Sequence, residues 1–296
     1  MRRTAAGGPT LSDLTGELAQ RLTAEARGRR EVMLLIAHLS GRSPADLLAC
    51  LADPAEDVLD AGLRRSLQAL VKRRANGEPL AYLTGEREFF SRRFRVGPGC
   101  LIPRPETEHL VELGLAAIAD MASARVVDCC TGSGCVGITI AAERERNGRA
   151  TELLLTDRSA QALEWATRNA REHVSARSVW QTREADLLDA CPPATDLIVA
   201  NPPYLTPEET DAALAQGWGE PAMALDGGAD GLSLYPRLAD DACRLLRPGG
   251  WLILEHGEGQ GELVRSMLAQ AGLVDIRQEF DLAGRDRNVA ARRREE

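Results

Sequence analysis

From residue 125 onward, short apolar runs alternate with stretches of helical periodicity, and this alternation leaves few folds open. Val126-Val127 leads into a glycine turn and a helix beginning near Cys135, and Leu153-Leu154-Leu155 leads into Asp157 and a helix from about Ala160. Further candidate strands are residues 179–183, 197–200, 251–255, 274–279 and 288–291. A strand buried on both faces reads as a continuous apolar run, and parallel neighbours need helical crossovers. The pattern therefore predicts an α/β fold: a Rossmann-like, mostly parallel sheet with helices on both faces. In open sheets of this kind, ligands bind beyond the carboxyl ends of the strands.

The first 84 residues follow a different rule. Leu11, Leu14, Leu18 and Leu22, then Val32, Leu35, Ile36 and Leu39, then Leu59, Leu63, Leu67 and Leu70 recur at helical spacing and predict a small helical domain over residues 1–84. Gly41 suits a helix end, and Ser43-Pro44 supplies an N-cap followed by proline at the first helical position. Such a domain is either a packing cap or a surface that recognises a partner protein, and both readings stay open. Over residues 85–105 the aromatic and β-branched stretches Glu88-Phe89-Phe90 and Phe94-Arg95-Val96 predict a β-hairpin linker. Two prolines in Leu101-Ile102-Pro103-Arg104-Pro105-Glu106-Thr107-Glu108 then forbid regular structure before a helix beginning near Glu106, and the second domain spans residues 106–296.

Charge bears on the partner. The net charge is −8; residues 1–95 carry 16 basic and 12 acidic side chains, whereas the remainder carries 20 and 32. An acidic catalytic half repels a phosphate backbone, so no direct nucleic-acid contact is expected, and a protein or small-molecule partner fits better. The seven cysteines form neither a CxxC pair nor a framework with the four histidines, so no metal is expected. Several lie in apolar runs, as in a reducing cytoplasm. The segment after Met1-Arg2-Arg3 is too polar for a signal peptide, and no apolar run approaches the ~18 residues of a membrane span. The expectation is a soluble cytoplasmic protein with no membrane partner.

Four motifs carry the chemistry. Asp128-Cys129-Cys130-Thr131-Gly132-Ser133-Gly134 joins a strand to a helix, and its glycines permit close ligand approach. Gly132, Gly134 and Gly137 also satisfy the dinucleotide spacing GxGxxG, which keeps a nicotinamide-dependent oxidoreductase in view. Asp157 ends the next strand, where a carboxylate accepts from ribose hydroxyls in nicotinamide and S-adenosylmethionine sites alike. Asp186-Leu187 follows the third strand, placing an acceptor and an apolar cover where an adenine would sit. Asn201-Pro202-Pro203-Tyr204 closes the strand 196–200. Its prolines end the ladder and leave carbonyls free. The Asn201 side-chain oxygen and the Pro202 carbonyl then accept both hydrogens of an NH₂ group, with Tyr204 packed on the planar group. Hydride chemistry has no use for that arrangement, and it points to methyl transfer onto a planar amide or amine nitrogen.

With these residues in view, the chain resembles the bacterial peptide chain release factor glutamine N5-methyltransferases over nearly its whole length. NPPY also occurs in adenine N6-methyltransferases. The resemblance rests further on Gly77-Glu78-Pro79-Leu80-Ala81-Tyr82-Leu83-Thr84-Gly85, the proline loop, Glu220-Pro221 with Ala224-Leu225-Asp226-Gly227-Gly228, and Leu254-Glu255-His256-Gly257 with Gln260-Gly261. It implies a class I methyltransferase sheet and S-adenosylmethionine as methyl donor. It also implies a release factor glutamine as target, the one in a GGQ-type motif. Cofactor contacts are implied for Cys130, Thr131, Gly132, Ser133, Gly134, Asp157, Asp186, Leu187 and Asn201, and substrate contacts for Asn201, Pro202, Pro203 and Tyr204. A glycine is usual in the family where Cys130 stands, and a bulky aromatic where Leu187 stands. The alternatives carried forward are adenine N6 methylation, ribosomal-protein glutamine methylation, nicotinamide-dependent oxidoreduction and a non-enzymatic interaction module.

Overall fold

The computed structural model describes residues 8–22, 25–217, 219–281 and 283–295, and the chain divides into two compact units, Met1–Gly85 with Ala215–Gly219 and Glu86–Leu214 with Glu220–Glu296.

The first unit is helical. α1 (Leu11–Ala19) opens with a capping box in which Thr10 Oγ1 accepts from Asp13 N while the Asp13 carboxylate accepts from Thr10 N. α2 (Glu25–Ser40) stops before Gly41, which takes φ 69°. α3 (Pro44–Ala49) is capped by Ser43, α4 (Ala55–Val58) follows, and α5 (Ala61–Ala75) is capped by Asp60. α6 (Leu80–Thr84) ends at left-handed Gly85. The apolar stripes converge on a core that includes Leu11, Leu18, Val32, Leu35, Ile36, Leu47, Leu67 and Val71. Arg74 and Glu31 pair at 2.8 Å and tie α5 to α2.

The second unit begins with the hairpin β1 (Glu86–Phe89) and β2 (Arg92–Arg95). Its turn residues Phe90 and Ser91 both have positive φ, as a two-residue primed turn requires, and Glu108 accepts from Phe90 N at 2.8 Å. Phe89 and Phe94 are buried in the core beside the sheet. The helix expected from about Glu106 starts later: Pro105–Thr107 forms a 3₁₀ turn, and α7 (Glu108–Ala117) continues from it. Proline at the first position favours the tight turn.

Then come β3 (Ser123–Cys129), α8 (Cys135–Arg146), β4 (Ala150–Asp157), α9 (Ala160–His173), β5 (Val179–Glu184), β6 (Thr195–Ala200) and α10 (Pro207–Ala215). α11 (Tyr235–Leu245), β7 (Leu246–Glu255), α12 (Gly261–Gln270), β8 (Val274–Phe280) and β9 (Asp286–Arg292) complete the chain. The sheet order is β5-β4-β3-β6-β7-β9-β8, parallel through β7, with β9 antiparallel to both of its neighbours. β7 starts five residues before the expected strand, because the ladder with β6 resumes at Trp251 across an irregularity that absorbs Pro248-Gly249-Gly250.

Alternate residues face opposite sides of the sheet. Val127, Cys129, Ile198, Ala200, Leu252 and Leu254 pack under α11 and α12, whereas Val126, Leu153, Leu155, Leu197, Val199 and Ile253 pack under α7, α8 and α9. After β3 the chain builds outward through β4 and β5, then returns to place β6 on the other side of β3. This reversal opens a crevice at the carboxyl ends of β3 and β6. The register Cys129↔Ala200 sets the loop after β3 beside the segment after β6.

Candidate active site

The loop after β3 is held from beneath. Asp128 is only 2% exposed, and its Oδ2 accepts from Thr131 Oγ1 at 2.6 Å and from Gly137 N at 2.9 Å. A Cβ at Gly137 would stand 2.7 Å from Asp128 Cβ and 2.9 Å from Leu155 Cδ2, so this glycine lets α8 seat against the sheet. Gly132 and Gly134 take φ 55° and 82°. Cys130 takes φ 57°, a conformation that costs a residue with a side chain about 1–2 kcal/mol. Its half-buried thiol contacts Cys129 Sγ at 3.9 Å, and that contact with desolvation raises its pKa well above the usual thiol value and keeps it protonated.

Asp157 closes the loop from the next strand. Its Oδ2 accepts from Gly132 N at 2.9 Å and its Oδ1 from Ser159 N at 2.8 Å, leaving each oxygen a lone pair for a ligand. Burial raises its pKa against those hydrogen bonds. Asp186 accepts from Arg237 at 2.5 Å through Oδ2, and its Oδ1 receives no hydrogen bond among the described residues. Leu187 is buried with φ 53° and joins the core under α11.

These groups line a cavity of about 330 Å³ that also takes in Asn201, Pro203 and Asp226. Its outer walls are residues 99–101 and 221–224. Glu220 joins the two walls: its buried carboxylate accepts from Ile102 N at 2.8 Å and pairs with Arg104. Glu220→Ala is expected to leave the Ile102 N–H buried without its partner, lower stability by about 1–3 kcal/mol and weaken binding of the expected cofactor, S-adenosylmethionine, by about 10-fold. Calorimetric titration checks this, and unchanged affinity would remove the clamp from the binding account.

Beyond β6, Asn201 Nδ2 donates to Thr107 Oγ1 at 3.2 Å, which turns Oδ1 outward. Among the described residues, neither Asn201 Oδ1 nor the Pro202 carbonyl receives a hydrogen bond. The Tyr204 carbonyl accepts from Gln260 Nε2 at 3.0 Å, and Leu205 N and O bond to Leu225 O and Gly227 N, so the segment is fixed just past the two prolines. Tyr204 packs against the core under α11 and α12, and burial raises its phenol pKa.

Glu255, at the end of β7, is 2% exposed, and burial pushes its carboxyl up to about 7 despite hydrogen bonds from Thr107 and Asn201. Burial likewise pushes Asp128 up to about 7. Unfolding returns the two groups to ordinary values of 4.5 and 3.8, so the unfolded chain releases these protons first as pH rises. Their contribution to stability is complete below about pH 4 and declines through pH 7. His256, which burial keeps neutral, acts in the opposite direction near its ordinary 6.5. A comparison with Glu255→Gln isolates one group: the stability gained by the variant is expected to grow from near zero at pH 4.5 to about 3 kcal/mol at pH 8. Denaturant titration across that range checks it, and a gain independent of pH would refute the ionisation.

Of the residues expected from the sequence, Cys130, Gly132, Asp157, Asp186, Leu187, Asn201 and Pro203 line the cavity. Thr131 instead points inward to Asp128, Ser133 is buried with its carbonyl accepting from Asn169 Nδ2, and Gly134 packs on Ile138. Pro202 and Tyr204 stand beside the cavity rather than in its wall. Sequence reasoning assigned no individual role to Asp128, Thr107, Glu220 or Glu255, although each lies inside a quoted motif.

Residues 13–85 match the family model of the PrmC N-terminal domain, and residues 111–225 match that of the methyltransferase small domain. A release factor glutamine methyltransferase of Xylella fastidiosa is 45% identical over 79% of this chain and 83% of its own. One from Bordetella pertussis is 42% identical over 88% and 93%. Among solved structures, the hMettl16 catalytic domain in complex with the MAT2A 3′UTR hairpin 1 superposes with a TM-score of 0.54 at 16% identity, covering 77% of this chain and 80% of that one, a likeness of fold alone.

Proposed function

The chain belongs to the release factor glutamine methyltransferase family, and from that membership we propose how its site residues divide the work. The reaction is transfer of a methyl group from S-adenosylmethionine to the side-chain amide nitrogen of a release factor glutamine, giving N5-methylglutamine.

The residues present fit the cofactor. The cavity is of ligand size, Asp157 keeps free lone pairs at the end of β4, and the acidic lining of Asp157, Asp186 and Asp226 suits a ligand with sulfonium and ammonium charge. When bound, S-adenosylmethionine supplies an electrophilic methyl group on its sulfonium. Asp157 holds the ribose hydroxyls, Leu187 covers the adenine, Asp186 Oδ1 meets the adenine amino group, and the loop of Cys130, Thr131, Gly132, Ser133 and Gly134 cradles the methionine portion.

On the substrate side, Asn201 Oδ1 and the Pro202 carbonyl accept the two hydrogens of the glutamine NH₂, and Tyr204 packs on the amide plane. The observation that carries this reading is the pair of unclaimed acceptors at the edge of the cavity. An amide nitrogen delocalises its lone pair, so holding both hydrogens orients that pair and stabilises positive charge as it develops. The released proton passes to solvent once the nitrogen is methylated and acidic. The substrate is a protein, the acidic half discourages nucleic acid, and translation termination places the reaction in the cytoplasm.

Labelled methyl transfer tests the whole reading. The expected result is label on a purified release factor, none on a variant whose GGQ-type glutamine is replaced, and none on ribosomal protein or DNA. Label on DNA or ribosomal protein instead would overturn it.

A further inference from the structure

Behind Asn201 lies a polar chain to which methyl transfer, as described, gives no task. Thr107 is buried in the 3₁₀ turn, and its Oγ1 receives the Asn201 Nδ2 hydrogen at 3.2 Å. A hydroxyl that accepts one hydrogen bond still has its own proton to give, and Thr107 and Asn201 both stand close enough to the buried Glu255 carboxyl to lower its pKa. All three residues are supplied by different elements: the 3₁₀ turn, the segment after β6, and the end of β7.

Glu255 is poorly explained as packing. Its Oε2 has no partner among the described residues, nor do the amide atoms of Asn288, its cross-strand neighbour. A buried carboxylate retained only for structure would be satisfied on both oxygens. An amide, by contrast, needs an orienting partner to be an unambiguous acceptor, because a half-turn about its last torsion exchanges oxygen for nitrogen with almost no change of shape. Turned the wrong way, Asn201 would set its NH₂ against the NH₂ of the target.

We infer that Thr107 and Glu255 are positioning residues that act through Asn201, locking its nitrogen inward and its Oδ1 toward the target amide NH₂. Donation from Nδ2 along the chain toward a carboxylate also draws electron density onto Oδ1, making it a stronger acceptor. This inference rests on the reading of Asn201 as the substrate grip.

The test uses the full chain with Thr107→Val, Thr107→Ser, Glu255→Gln and Asn201→Ala. Thr107→Val and Glu255→Gln are expected to lower kcat about 10- to 100-fold, with the KM for release factor and the Kd for S-adenosylmethionine changed less than about threefold. Thr107→Ser, which keeps the hydroxyl, is expected to recover kcat to within about threefold of the unmodified chain. Independently of activity, one of the two side-chain amide protons of Asn201 should exchange slowly in the NMR spectrum of the unmodified chain and of Thr107→Ser, and rapidly in Thr107→Val. Full turnover in Thr107→Val with loss in Asn201→Ala would overturn the positioning role and leave the grip intact. Full turnover in Asn201→Ala would overturn the grip itself. Parallel loss of cofactor binding and turnover in Thr107→Val and Glu255→Gln would make the chain structural and also defeat the inference.

Discussion

Replacing Asn201 by alanine is expected to lower kcat about 10²- to 10³-fold while leaving S-adenosylmethionine bound within about threefold of its normal affinity. Asn201 touches the edge of the cavity, but the proposed anchors for a nucleoside, Asp157 at the end of β4 and Leu187 after β5, do not depend on it. In the proposed roles its Oδ1 is one of two acceptors for the target NH₂, and an acceptor realised most strongly as nitrogen becomes positive acts on the transition state more than on the bound substrate. The loss should therefore appear in kcat and in single-turnover rates rather than in KM. Calorimetry for the cofactor and rapid-quench transfer to release factor separate the two. Equal losses in binding and turnover would remove Asn201 from the assigned role.

Gly227→Ala is expected to reduce turnover about 100-fold and stability by about 1–3 kcal/mol, although residue 227 supplies no side chain to the site. An added Cβ would stand 2.6 Å from Pro203 O, 2.7 Å from Gly231 O and 2.8 Å from Tyr204 Cα. All three are backbone atoms, so no rotamer relieves the overlap. The strain is steric and not torsional, because Gly227 does not have positive φ. Gly227 N also donates to Leu205 O at 2.8 Å, and Leu205 bridges Asp226, so the displaced backbone is the very segment that fixes Pro202 and Tyr204. Thermal unfolding and methyl transfer measured on the same preparation check both effects. Wild-type turnover in the alanine variant would show that the segment after β6 tolerates movement.

The sheet was legible because burial on two faces leaves a direct mark: Val126-Val127, Leu153-Leu154-Leu155 and residues 197–200 are apolar in sequence and central in the structure. The glycine loop, Asp157 and Asn201 were legible because turn chemistry and strand ends are local. The early part of β7 was not, since Pro248-Gly249-Gly250 reads as a breaker and is accommodated only by an irregular ladder with β6. Nor were the supporting carboxylates. Glu220 meets Arg104 across 116 residues and Asn201 meets Thr107 across 94, so nothing near either in sequence states the partner. Glu255 reads as an ordinary acid beside a histidine until the fold buries it. Cys130 shows the converse: its residue type argues against a left-handed turn, yet it adopts one at φ 57° just before Thr131 and Gly132, which are tied to Asp128 and Asp157.

Residues 202 and 203 have no N–H, and Asn201 gives an amide hydrogen inward to Thr107. The two groups proposed to meet the target nitrogen, Asn201 Oδ1 and the Pro202 carbonyl, are both acceptors. A glutamate side chain, nearly the same shape as glutamine, would bring two more oxygens against them and be turned away by repulsion alone. The product fares differently: a singly methylated nitrogen keeps one hydrogen, satisfies one acceptor, and crowds the other with a methyl group. On the proposed roles, easier release of the product and a single methylation are the expected consequences of one property, since a pair of acceptors in effect counts hydrogens, holding a nitrogen with two and loosening its hold on a nitrogen with one.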